Sequence, residues 1–141
     1  MNPIAKLFLA TNVGLFRATG GKIGSSMFGG QILLLTTKGA KSGKERTVPV
    51  MFFEHGGDRV VIASAGGSPV HPAWFKNLSH DPNVGVEVKG KKYRARAEVA
   101  TGEERGRIWQ KVTAAQPRFA GYEQKAKGRE IPVVVLKEIA G

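Results

Sequence analysis

The sequence predicts a mainly β domain of the α+β class: a six-stranded antiparallel split barrel with an N-terminal helix and further helices inserted late in the chain. Three observations carry that expectation. The first three candidate strands are joined by turns too short for the crossover helix that a parallel sheet requires. Two later segments alternate buried-type and charged side chains at period two, as strands with one covered face do. Once the strands begin, helical patterns return only after the third of them, which fits a small closed or split barrel better than a doubly wound sheet.

A chain of 141 residues makes one domain of ordinary size around a single core. It contains no internal repeat and no low-complexity tract. Residues 1–30 form a leading segment, an amphipathic helix and a glycine-rich loop, and residues 31–141 form the barrel domain. In the helix, Pro3 to Arg17, Ile4, Leu7, Phe8 and Leu15 fall near one face, with Lys6 and Arg17 on the polar side. Two roles fit it: packing on the domain, the simpler one, and peripheral contact with an anionic membrane surface that delivers a lipid-soluble substrate. Gly20 to Gly30 is too rich in glycine for a regular element, yet Met27 and Phe28 within it need cover, as at the rim of a pocket.

From there the strands follow in order. Ile32 to Thr37 and Thr47 to Glu54 flank a basic loop, Gly56-Gly57-Asp58 is a turn, and Arg59 to Ser64 is rich in Val and Ile. A short helix runs from Pro72 to Ser79, where Pro suits the first helical position. Val84, Val86 and Val88 form one alternating strand, and Tyr93, Ala95, Ala97 and Val99 another, opposed by Lys92, Arg94, Arg96 and Glu98. Thr101-Gly-Glu-Glu104 has capping-box spacing and starts a helix whose Ile108, Val112 and Ala115 share a face. Gln116-Pro117 interrupts it, a second helix runs to Lys127, and Ile131 to Lys137 is the last strand.

The net charge of +11 calls for an acidic partner without choosing among nucleic acid, anionic lipid and a polyanionic small molecule. The basic run Lys89, Lys91, Lys92, Arg94 and Arg96 lacks interleaved aromatics and fits the exposed face of one strand, so nucleic acid is not expected as a partner. There is no cysteine, which excludes disulfides, thiolate nucleophiles and cysteine-ligated metals. His55, His71 and His80 are scattered and stand beside no carboxylate cluster, so no metal is assigned. No apolar run reaches a membrane span and no cleavage site is evident, which predicts a cytoplasmic protein, peripheral at most on the inner face of the cell membrane.

Two stretches carry the chemistry. In Leu33 to Val50, strand, glycine loop and strand hold Lys38, Lys41, Lys44 and Arg46 on a fixed frame, an anion site. In Ala63 to Asn77, two adjacent glycines allow a flat ligand to approach the backbone, and a helix follows with Trp74 in its first turn. Together they point to a phosphorylated, planar cofactor. Gly39 to Lys44 is not a nucleotide phosphate loop: a residue is missing between the glycines, Glu45 replaces Ser or Thr, and a strand follows. The glycines from Gly20 to Gly24 follow no strand and lack the dinucleotide pattern. Ser, His and Asp form no hydrolytic set.

The order and spacing of Thr37, Gly39, Lys41-Ser42-Gly43, Arg46 and Pro49, then Ala63-Ser64 with Gly66-Gly67, His71-Pro72 with Trp74, Asn77-Leu78, and Asp81-Pro82 with Val84, resemble the deazaflavin-dependent nitroreductase family. These are actinobacterial oxidoreductases that use the reduced deazaflavin coenzyme F-420, an 8-hydroxy-5-deazaflavin. The resemblance covers residues 31 to 137. It implies a split barrel like that of the flavin mononucleotide-binding oxidases, and hydride transfer from C5 of the coenzyme to a hydrophobic small molecule. That reaction asks little acid–base work of the protein, consistent with the lack of an evident acid–base pair.

Carried onto this chain, the resemblance places Lys41, Ser42 and Arg46 on the anionic arm of the coenzyme, with Lys38 and Lys44 nearby. Val48, Pro49, Met51, Ser64, Ala65, Gly66 and Gly67 would line the ring, and Trp74 and Asn77 would close that side. The acceptor would lie among Met27, Phe28, Met51, Phe119 and Tyr122, with the last proton coming from Tyr122, a serine or water. Members that act on nitroimidazoles carry Ser-Lys-Gly and several late tyrosines where this chain has Ser64-Ala65-Gly66, Gln116, Phe119 and Tyr122. An enone, unsaturated lactone or quinone is therefore expected ahead of a nitroaromatic. A flavin mononucleotide enzyme on the same barrel and a non-catalytic deazaflavin-binding protein are the competing readings, and either a monomer or a homodimer is compatible.

Overall fold

A computed structural model describes residues 31–68, 70–126 and 129–139. The leading helix, the glycine-rich loop, Met27 and Phe28 lie outside the described residues. Six antiparallel strands close into one barrel: β1 (Ile32–Lys38), β2 (Glu45–His55), β3 (Asp58–Ile62), β4 (Asn83–Val88), β5 (Lys91–Val99) and β6 (Val133–Glu138). Their order around the ring is β1, β2, β3, β6, β5, β4, and β4 pairs back onto β1. Helix α1 (Ala73–His80) joins β3 to β4, and helices α2 (Gly102–Ala115) and α3 (Arg118–Lys125) lie between β5 and β6.

Alternation builds the core. Leu33 and Leu35 of β1 stand opposite Val50 and Val48 of β2 and join Phe52, Val61, Val86, Ala95 and Val134 in the interior cluster. Leu78 of α1 enters the same cluster, so α1 packs against the barrel core. The outer face of β3 and β6, through Val60, Ile62, Val133 and Val135, packs under Ile108 and Val112 of α2 and Phe119 of α3. Each fully buried Leu or Val in these clusters stabilises the fold by about 1.5–3 kcal/mol before chain entropy is counted. Inside, the Arg59 guanidinium lies 5.6 Å from the ring centres of both Phe52 and Tyr93 and donates to the Tyr93 hydroxyl at 3.0 Å.

The split-barrel expectation is met, with local corrections. Strand β3 stops at Ile62 because the carbonyls of Ala63 and Ser64 turn to an arginine side chain described below. Strand β6 begins at Val133, just after Pro132, which has no N–H to give to a ladder. The expected capping box does not form: the Thr101 side chain makes no cap hydrogen bond, and α2 starts at Gly102 with φ +59°. Ile108 and Val112 are buried as expected, but Ala115 is exposed.

Candidate functional site

The β1–β2 loop is a compact basic structure. The Gly39 amide donates to the Lys44 carbonyl at 2.8 Å, the Gly43 amide to the Gly39 carbonyl at 2.8 Å, and the Lys44 amide to Ser42 Oγ at 3.2 Å. Gly43 takes φ +71°, which favours glycine. Helix α1 ties this loop down through Asn77, whose Nδ2 donates to Thr37 Oγ1 and whose Oδ1 accepts from the Ala40 amide, both at 3.1 Å. Thr37 is buried, so its hydroxyl needs this partner. Lys38, Lys41 and Ser42 line a cavity of ≈ 460 Å³ with His80 and Asp81. Bonds from the Asn83 backbone and side chain hold the Asp81 carboxyl below its ordinary range, so it remains anionic. Lys44 and Arg46 are exposed on the flank, Arg46 opposite Thr37.

A second cavity of ≈ 370 Å³ brings together seven residues singled out from the sequence: Pro49, Met51, Ser64, Ala65, Trp74, Phe119 and Tyr122. Ile32, Val50, Ile62 and Pro72 complete its apolar walls, and Arg118 adds a cation. The Arg118 guanidinium lies 5.8 Å from the Phe119 ring centre, with Nη2 3.7 Å from Met51 Sδ. Phe119 packs edge-on against Tyr122 at 5.3 Å and against Phe53 at 5.9 Å, which fixes its ring. Ala65 has φ +49°, in the left-handed region that a side chain rarely adopts. Such a residue persists only where its surroundings impose it, at about 1–3 kcal/mol.

Beside this turn stands Arg129, a residue with no motif to announce it. From the segment between α3 and β6, Nε donates to Ser68 O at 2.9 Å, Nη1 to Ala63 O at 3.0 Å and Nη2 to Ser64 O at 2.7 Å. Nη1 also lies 2.8 Å from His71 Nδ1, and His71 packs on Phe75 of α1 at 4.8 Å between ring centres. Burial, then Arg129, then Lys76 lower the His71 pKa, so the ring is neutral at pH 7 and Nδ1 accepts.

Three residues expected at the ring are not among those lining this cavity. Val48 is half-buried opposite Leu35, Gly67 sits against α3, and Asn77 is occupied with the basic loop. Gly66 lies in the 3-10 turn Ala65–Gly67.

A family model described as F420H(2)-dependent quinone reductase matches residues 9–138. The chain belongs to this family. It is 34% identical over 126 residues to the F420H(2)-dependent quinone reductase Rv1261c of Mycobacterium tuberculosis (strain ATCC 25618 / H37Rv), covering 86% of this chain and 84% of the relative. It is similar to a solved structure described as F420-H2 Dependent Reductase (FDR-A), at 41% identity and TM-score 0.68, over 75% of this chain and 93% of that one. A second solved structure, described as a domain-swapped dimer, matches at 41% identity and TM-score 0.68 over 75% and 79% of the two chains.

The residues of this quinone reductase family member fit such a coenzyme. Trp74, in the groove, and His80, at the basic loop, are six residues apart on α1, about 9 Å along the helix axis. An apolar aromatic slot and a pocket lined by Lys38, Lys41 and Asp81 therefore share one rigid element. Among the described residues no helix is long and apolar enough to cross a membrane, and no cluster of His, Cys, Asp and Glu could hold a metal ion.

Proposed function

We propose that the protein is a reductase that takes its hydride from reduced coenzyme F-420 and delivers it to a quinone, with enones and unsaturated lactones as secondary acceptors and nitroaromatics behind them. The observation that carries the reading is the pairing of the two cavities along α1, supported by the family to which the chain belongs. When bound, the coenzyme supplies a hydride donor carbon that no side chain of this protein could provide.

Lys41, with Lys38, Ser42 and the flanking Arg46, would hold the anionic arm through charge-assisted bonds of about 1.5–3 kcal/mol each. Pro49, Met51, Ser64 and Ala65 would seat the ring, with Trp74 as a wall that excludes water. Phe119, Tyr122 and Arg118 would face the acceptor. The Arg118 guanidinium would stabilise negative charge arising on a quinone oxygen, and the Tyr122 hydroxyl would serve as a proton source.

The test is titration with the oxidised coenzyme followed by its fluorescence, then oxidation of the reduced coenzyme with a soluble naphthoquinone, an enone and a nitroaromatic compared. Binding with fastest turnover on the quinone is expected; unchanged fluorescence at micromolar protein would defeat the reading. Binding of flavin mononucleotide in preference would transfer it to the flavin alternative, and binding without turnover to the non-catalytic one.

A further inference from the structure

We propose that Arg129 is a positioning residue of the groove: by gathering the carbonyls of Ala63, Ser64 and Ser68 it sets the amide N–H groups of Ser64 and Ala65 as donors for the carbonyl-bearing edge of a flat heterocycle. The inference rests on the coenzyme reading above and adds the residue that makes the ring seat rigid.

The argument is one of peptide geometry. The described peptide bonds are trans, so each N–H points opposite the carbonyl of the residue before it. Ala63 O and Ser64 O both point to Arg129, at 3.0 and 2.7 Å. The amides of Ser64 and Ala65 therefore point away from the guanidinium, and both residues line the groove. The turn itself is closed by the Gly67 amide on Ser64 O at 2.9 Å and the Ser68 amide on Ala65 O at 3.1 Å. Without the cation, Ala65 at φ +49° would relax toward ordinary backbone and swing its amide away.

A planar fork is needed for this task. Arg129 uses four N–H directions at once, three toward carbonyls and one toward His71, and a lysine ammonium cannot span such a set. The His71 bond extends the same constraint to the entrance of α1, where Pro72 and Trp74 form the next wall of the groove. Two walls that are separate in sequence are thus registered by one side chain.

The experiment compares the wild type with R129Q and R129K in coenzyme titrations, quinone kinetics, and amide hydrogen exchange of the ligand-free protein. For R129Q we expect exchange at residues 64–68 to accelerate while strands β1 and β5 keep their protection, coenzyme Kd to rise at least about tenfold, and quinone KM to stay within about twofold. R129K should recover only a minor part of the affinity. The proposal is overturned if R129Q leaves the exchange of residues 64–68 unchanged, if Kd is unchanged, if R129K restores full affinity, or if core strands lose protection in step with the turn. Should the wild type itself fail to bind the coenzyme, the functional reading falls, and the exchange comparison alone decides whether Arg129 sets the turn.

Discussion

Gly67 lies directly against Tyr122: a Cβ at Gly67 would come within 3.2 Å of the Tyr122 Cα and 3.0 Å of the Lys125 Cβ. The turn that carries Ser64 and Ala65 and the helix that carries Phe119 are therefore in backbone contact, and the width of the groove between them depends on the absence of one methyl group. Gly67 also takes φ +86°, which a side chain resists. Gly67→Ala is expected to destabilise the protein by about 1–3 kcal/mol and to weaken coenzyme binding by prising the turn from α3. A thermal melt and a titration check it; a variant equal to the wild type in both would remove the contact from the site's design.

Lys41→Ala and Arg46→Ala should each raise the coenzyme Kd by about tenfold, the size of one lost charge-assisted bond. Both side chains are exposed, so the melting temperature should not move. The wild-type Kd should rise with salt, and less steeply in either variant. Titrations at two ionic strengths read both effects, and equal affinity in both variants would place the arm elsewhere.

Asn77→Ala removes the bridge between Thr37 and Ala40 and leaves a buried hydroxyl without its donor. A stability loss of about 1–3 kcal/mol is expected, with faster exchange of the Ala40 amide. Retained protection of that amide would show that the loop holds its shape without α1.

His71 makes stability pH-dependent, with a sign that follows from its neighbours. Burial, Arg129 and Lys76 all disfavour its charged form, so its folded pKa lies below the ordinary 6.5. The unfolded chain then binds the proton more readily, and the stabilisation from a neutral His71 is complete above pH 6.5 and is lost as the pH falls below that value. Denaturant melts at pH 7.5 and 5.5 should show a larger loss for the wild type than for His71→Asn. Identical losses would mean that the ring is not coupled to folding.

The barrel was legible because its strands repeat at period two and its early turns are short; Leu33 with Leu35 and Val84 with Val86 declare one face without any tertiary knowledge. Pro49, Ser64 and Trp74 were singled out through the family resemblance, and all three line the second cavity. Arg129 and Arg118 were not: among 22 lysines and arginines, nothing local marks the one that meets three carbonyls or the one that enters a groove. Asn77 shows the complementary failure, since its place in a motif was visible but its partners, Thr37 and Ala40, are set by how α1 docks on the barrel. Thr101 had the right spacing for a cap, yet Gly102 at φ +59° carries the chain into α2 without it.

The pairing of β4 with β1 closes the ring of six strands, although Glu45 to Met51 of β2 pairs on one side only, with β1. Edge-to-edge growth into fibrils, the hazard of any open sheet, would have to begin at such a one-sided stretch and not at a wholly unpaired strand of the ring. Trading of any of these six strands between two copies would first have to unzip the ladders that hold it.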